Sequence, residues 1–105
     1  MKIVAAADHG GFEMKNQIVE DLRKQGFAVE DLGTNSADSV DYPDFAEKAT
    51  AKVLAGQADL GILVCGTGIG ISIAANRHKG IRAAILYDDY VAKVAREHNN
   101  ANVLC

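Results

Sequence analysis

Cys65 ends an apolar run and opens the loop Cys65-Gly66-Thr67-Gly68-Ile69-Gly70, inside the stretch LGILVCGTGIGISIAA from Leu60 to Ala75. Glycine at alternate positions lets successive backbone N–H groups converge on a single anionic atom. The helix-like pattern that begins at Ile69 adds unpaired donors and the positive end of a helix dipole. A thiol placed there is a candidate nucleophile or base, because a helix N-terminus favours thiolate. Taken alone, Cys65 fits better a small hydrophobe closing a core strand, the commoner place for a free cysteine; the glycine loop shifts the reading towards chemistry.

Further polar groups share the pattern of following a predicted element. Asp8 and His9 precede Gly10-Gly11, Tyr42 precedes Pro43, and His98, Asn99 and Asn100 follow the last helical pattern. Each also has a structural explanation. Asp8 can cap a helix, His98 can sit favourably at a helix C-terminus, and Asn99 and Asn100 can adopt left-handed turns. Tyr42 can pack by its ring alone, and His9 can be an ordinary loop residue. Ligands in open parallel sheets bind beyond the carboxyl ends of the strands, and the expectation is that all these groups lie on that one rim.

Alternating strand and helix patterns set the scaffold. Strands are expected at Ile3–Ala7, Phe27–Leu32, Leu60–Cys65, Ile81–Tyr87 and Asn102–Cys105. Helices are expected at Phe12–Gln25, from Pro43 to a stop at Gly56, at Ile69–Asn76, and from an Asp88 cap to about His98. The spacing of Met14, Ile18 and Leu22, joined by Val19, predicts the inward face of the first helix. In the second helix Phe45, Ala46, Ala49 and Val53 are expected to face the core. Gly33 to Asp41 is polar and turn-rich and reads as an exposed loop. The alternation specifies an α/β fold with a parallel sheet covered on both faces.

The 105 residues are 49% hydrophobic and 24% charged, with 10 glycines, one proline and a formal net charge of −3. That is one globular domain, neither disordered nor collagen-like. The absence of a dense basic run argues against nucleic acid or a membrane surface as partner. No leader pattern follows Met1-Lys2, so the expected compartment is the cytoplasm, where Cys65 and Cys105 remain reduced thiols. The last apolar segment has no helix after it to cover it. This predicts that the domain 1–105 ends early at the fifth strand, with the sheet closed by another subunit or by more of a longer protein.

Two nucleotide motifs fit poorly. A Walker A loop needs Lys-Ser/Thr after its last glycine, and Gly70 is followed by Ile71-Ser72. The dinucleotide fingerprint GxGxxG is one residue longer than this loop, although Asp88 and Asp89 stand where its acidic partner is needed. A phosphoacceptor role for Asp8 lacks the neighbouring acidic pair and downstream lysine.

With Asp8-His9, Tyr42-Pro43, CGTGIGISIAANR and EHNNANVL in this order, the chain resembles sugar-phosphate isomerases of the ribose-5-phosphate isomerase B type, to which galactose-6-phosphate isomerase subunits are related. The resemblance covers essentially the whole chain. It implies a Rossmann-like three-layer α/β/α sandwich with a five-stranded parallel sheet, and aldose–ketose isomerisation without metal or other cofactor. It also implies a homodimer or tetramer with active sites between subunits, and a small sugar phosphate as partner. Cys65 is then the general base between C1 and C2. The N–H groups from Gly66 through Gly68 and Ile69 to Gly70, with the Thr67 hydroxyl, hold the enediolate. His98, with Asp8, opens the sugar ring; Asn99 and Tyr42 position hydroxyls; His9 helps hold the phosphate. Family members normally continue into a further loop and helix whose arginines clamp the phosphate. Here Arg77, Lys79 and Arg82 fall on the wrong rim to replace them. D-ribose 5-phosphate is the leading substrate, with galactose or allose 6-phosphate, or a catalytically silent anion-binding module, as alternatives.

Overall fold

The computed structural model describes residues 1–105. Its elements are β1 (Lys2–Ala7), α1 (Phe12–Lys24), β2 (Ala28–Asp31), α2 (Tyr42–Leu54), β3 (Leu60–Val64), α3 (Ile69–Asn76), β4 (Ala83–Ala84), α4 (Asp89–Glu97) and β5 (Val103–Leu104). The sheet order is β2-β1-β3-β5-β4, with every pair parallel. Ile3 lies opposite both Val29 and Leu60, and Gly61 opposite Val103. This is the α/β architecture expected from the alternating pattern.

Alternation along the strands divides the apolar side chains between two layers. Val4, Ala6, Leu63 and Val103 face α2 and α3, where Phe45, Ala46, Ala49, Ile71 and Ala75 complete the larger core. Ile3, Ala5 and Val29 face α1 and pack on Val19, with Leu60 and Ile62 half-buried beside them. The right-handedness of parallel crossovers returns the β4–β5 connection, and with it α4, to the α1 side. In α2, Phe45, Ala46 and Ala49 turn inward as expected, with Thr50 buried and Val53 half-buried.

Two expectations are corrected. Met14 is 60% exposed, while Lys15 is fully buried and is the largest of the wholly buried side chains. The inward stripe of α1 is Lys15, Val19 and Leu22, one position round from the apolar count, because Lys15 has a carboxylate partner in Asp31. The fourth strand, expected over Ile81–Tyr87, shortens to Ala83–Ala84. It lies at the sheet edge with β5 as its only strand neighbour, and on its other side the Asn76 amide occupies the Ala83 N–H and C=O.

Candidate active site

β3 carries Cys65 to the upper edge of the sheet, and the backbone then turns back on itself. At Gly68 the φ angle is +79°, a left-handed conformation suited to glycine. The turn brings the Gly68 N–H to 3.2 Å from Cys65 Sγ, so the sulfur accepts a backbone hydrogen bond. The Ile69 N–H donates to Thr67 Oγ1 at 3.1 Å. Gly66, Thr67 and Gly70 keep backbone N–H groups with no partner inside the protein. The Ile71 N–H in the first turn of α3 is likewise unpartnered, so these four are the donors available to an anion; Gly68 serves the thiol and Ile69 the threonine. All stand at the N-terminus of α3, whose dipole favours negative charge.

Beside Cys65 opens a largely apolar cleft of about 400 Å³, with Ile62, Val64, Leu86 and Leu104 on its walls and Met14 and Ile18 at its α1 side. Its polar end is Cys65, Gly66 and Thr67. Cys105 lines the same cleft, and both cysteines are free thiols. Burial pushes the Cys105 thiol up to about 12, and the charge of the nearby Cys65 adds to the shift. Cys105 is thereby held protonated. It carries no sequence signal beyond ending an apolar strand like Cys65.

Asp8 leaves β1 alongside this loop. Its N–H donates to Val64 O at 3.2 Å, and its Oδ1 accepts from Gly10 N–H at 2.9 Å. A Cβ on Gly10 would lie 3.4 Å from that carboxylate oxygen and 3.7 Å from Gly66 N, so Asp8, Gly10 and Gly66 are close neighbours. His9 is exposed, and its Nδ1 accepts the Val40 N–H at 3.2 Å. Tyr42 opens α2 with its ring laid on Gly70: a Cβ at Gly70 would come 2.8 Å from Cζ and 3.0 Å from Oη. Glycine at that position is what lets the phenol reach the anion-binding loop. Asp8, His9, Tyr42 and the Cys65–Gly70 loop thus gather at one rim.

His98 and Asn99 do not join them within one chain. α4 runs antiparallel to the strands, so its C-terminal end lies at the opposite edge of the sheet. Asn100 O accepts from the Arg82 guanidinium just before β4, and Asn102 O accepts from Gly61 N–H near the start of β3. Val103 is level with Gly61, and Cys65 lies four residues further along β3. At about 3.3 Å per residue that is roughly 13 Å, and His98 precedes Val103 by five residues at the lower edge. The single-rim expectation fails for this pair because a helix that leaves the upper rim delivers its last residues to the lower one. His98 and Asn99 are both exposed.

Residues that the motif reading passed over support this rim from below. Lys15, Asp31 and Asn35 form a hydrogen-bonded group under the loop that carries Val40. The available signal was a lysine four residues before Val19 on the buried stripe of α1. No group of three or more His, Cys, Asp or Glu side chains comes together as a metal site, and no helix is long and apolar enough to cross a membrane.

The profile of the family described as Ribose/Galactose Isomerase matches residues 3–105. Ribose-5-phosphate isomerase B of Escherichia coli (strain K12) is 48% identical over 103 residues, covering 98% of this chain and 69% of the relative. Among solved structures, Clostridium thermocellum ribose-5-phosphate isomerase B superposes with a TM-score of 0.98 at 52% identity, covering 99% of this chain and 70% of that one. The Thermotoga maritima protein described as a ribose 5-phosphate isomerase gives 0.96 at 53% identity, covering 98% and 71%.

Proposed function

The chain belongs to the ribose/galactose isomerase family, and from that premise we propose that it interconverts D-ribose 5-phosphate and D-ribulose 5-phosphate through an enediolate. One observation carries the reading: Cys65 Sγ accepts the Gly68 N–H in a loop that leads into the N-terminus of α3, where the N–H groups of Gly66, Thr67, Gly70 and Ile71 are unpartnered. A base next to an anion hole is what proton transfer alpha to a carbonyl requires.

In this mechanism Cys65, as thiolate, removes the proton from C2 of the open-chain aldose. The electron pair of the broken C2–H bond forms the C1–C2 double bond, and negative charge develops on the carbonyl oxygen at C1. The free N–H groups of the loop, with the Thr67 hydroxyl, stabilise that oxygen. Cys65 returns the proton to C1, and the O2 proton passes to O1, so the ketose forms with no gain or loss of atoms or electrons. Asp8 and His98 open the ring, Tyr42 and Asn99 position sugar hydroxyls, and His9 donates to the phosphate. The Gly68 and Ile69 N–H groups act indirectly, by orienting Cys65 and Thr67.

The site is proposed to be completed in a homodimer. His98 and Asn99 lie at the far edge of their own sheet, so a second copy supplies them. Ile69 and Ile73, four residues apart on α3 and 54% and 55% exposed, form an apolar stripe beside the loop that suits such a copy. The proposed setting is pentose phosphate metabolism in the cytoplasm.

The test is a coupled assay for ribulose 5-phosphate formed from ribose 5-phosphate, run in parallel with galactose 6-phosphate and allose 6-phosphate. Turnover of the pentose above the hexoses supports the proposal. Turnover of a hexose phosphate alone would reassign the substrate, and a Cys65→Ser variant that keeps its rate within about tenfold of the parent would exclude the Cys65 proton-transfer step.

A further inference from the structure

We propose that Lys15 is a positioning residue for His9, acting through Asp31, Asn35 and the loop 32–41 to hold the imidazole with its proton on Nε2. A lysine is almost never wholly buried without a partner. Here the ammonium is saturated: it donates to Asp31 Oδ1 and Oδ2 at 2.6 and 2.7 Å, to Asn16 Oδ1 at 2.8 Å and to Asn35 Oδ1 at 2.7 Å. Buried ion pairs contribute little net stability once desolvation is counted, and their better-attested use is to specify one arrangement. The arrangement specified here is the root of the loop after β2.

Asp31 Oδ1 also accepts the Gly33 N–H at 2.9 Å. The Gly33 C=O and Thr34 N–H then bond to the Ala7 N–H and C=O, at 2.7 and 2.8 Å. Lys15 therefore clamps the loop root against the end of β1, immediately before Asp8 and His9. Beyond Asn35, residues 36–39 are exposed, with only a local Asp38 N–H to Ser36 Oγ bond. At the far end, Val40 N–H donates to His9 Nδ1 at 3.2 Å. This is the one hydrogen bond the His9 ring makes, so the loop's course from its anchor decides the ring's tautomer.

With Nδ1 accepting from a backbone N–H, a neutral imidazole carries its proton on Nε2. The ring then offers a donor to a phosphate oxygen. The other tautomer would present a lone pair to an anion. The functional half of this inference rests on the His9–phosphate contact proposed above; the tautomer half does not.

The test uses Asn35, because Lys15→Met leaves the Asp31 carboxylate unpaired and can unfold the chain. Asn35→Ala frees the loop from the ammonium while keeping the Lys15–Asp31 pair, and Asn35→Asp restores an acceptor oxygen. Ring ¹⁵N chemical shifts of His9 at about pH 8, above the ordinary imidazole range, report the tautomer. The expected result is Nε2–H in the parent, a mixture of tautomers in folded Asn35→Ala, and recovery in Asn35→Asp. KM for ribose 5-phosphate is expected to rise about tenfold in Asn35→Ala, the scale of one lost hydrogen bond, with kcat within about twofold. Unchanged ring shifts in folded Asn35→Ala would overturn the proposal. A changed tautomer with unchanged KM would support the Lys15 anchor and overturn the His9–phosphate contact.

Discussion

Replacing Cys65 separates chemistry from packing, provided serine and alanine are compared. The thiol accepts the Gly68 N–H at 3.2 Å, and Gly68 is buried, so Cys65→Ala leaves a backbone donor without a partner. That omission costs about 1–3 kcal/mol. A small domain has a net stability of about 5–15 kcal/mol, so the alanine variant still folds, with a lower denaturation midpoint. Cys65→Ser returns an acceptor oxygen to nearly the same place and should hold stability within about 1 kcal/mol of the parent. Its hydroxyl is a far poorer base than a thiol, and the loss of a positioned general base lowers rate by about 10²–10⁴-fold. The measurements are urea unfolding and the coupled ribulose 5-phosphate assay on all three proteins. A serine variant that keeps its rate within about tenfold of the parent would refute Cys65 as the base. A serine variant that fails to fold would show that the sulfur is a core group first.

Further outcomes follow from the same geometry. If His98 and Cys65 of different copies share a site, inactive Cys65→Ser and His98→Asn variants should complement on mixing, recovering about a quarter of parental activity from random twofold-symmetric dimers; no recovery would place both residues in one chain's site. Gly70→Ala puts a Cβ 2.8 Å from the Tyr42 ring. That ring is 39% exposed and able to swing away. The expected result is a stability loss of about 1 kcal/mol and a raised KM, and an unchanged KM would remove Tyr42 from the site. Cys105 gives a pH signature. Its thiol is held up to about 12 from 9.0, so this group's contribution to stability is intact below pH 9 and falls as pH climbs from 9 towards 12. The free energy of urea unfolding should drop over that window, by an amount on the order of a few kcal/mol, and drop less in Cys105→Ala; equal slopes in both proteins would assign the effect elsewhere.

Much of the scaffold was legible because the determinants are local. The Asp88 cap is one case, its carboxylate accepting the Val91 N–H at 2.7 Å as a helix-capping aspartate should. The bounds of α3 follow from the glycine loop before it and the polar Asn76-Arg77 after it. The nearness of the Cys65 loop to Asp8 was equally readable, since adjacent parallel strands deliver their C-terminal residues to one rim.

Other features depend on contacts distant in the chain. The burial of Lys15 in place of Met14 turns on Asp31, sixteen residues away, and no periodicity within α1 reveals that partner. The short β4 reflects its place at the sheet edge and the Asn76 side chain, neither of which a count of apolar residues contains. Which loop amides are free depends on a left-handed turn that points Gly68 N–H at the sulfur. The separation of His98 from Cys65 is the largest such case. Residue types in the chain named both as chemistry-bearing, but strand order and helix direction set the edge on which each lies. Local chemistry is written in neighbouring residues, whereas the distance between segments is settled by how the sheet is wound and what packs against it.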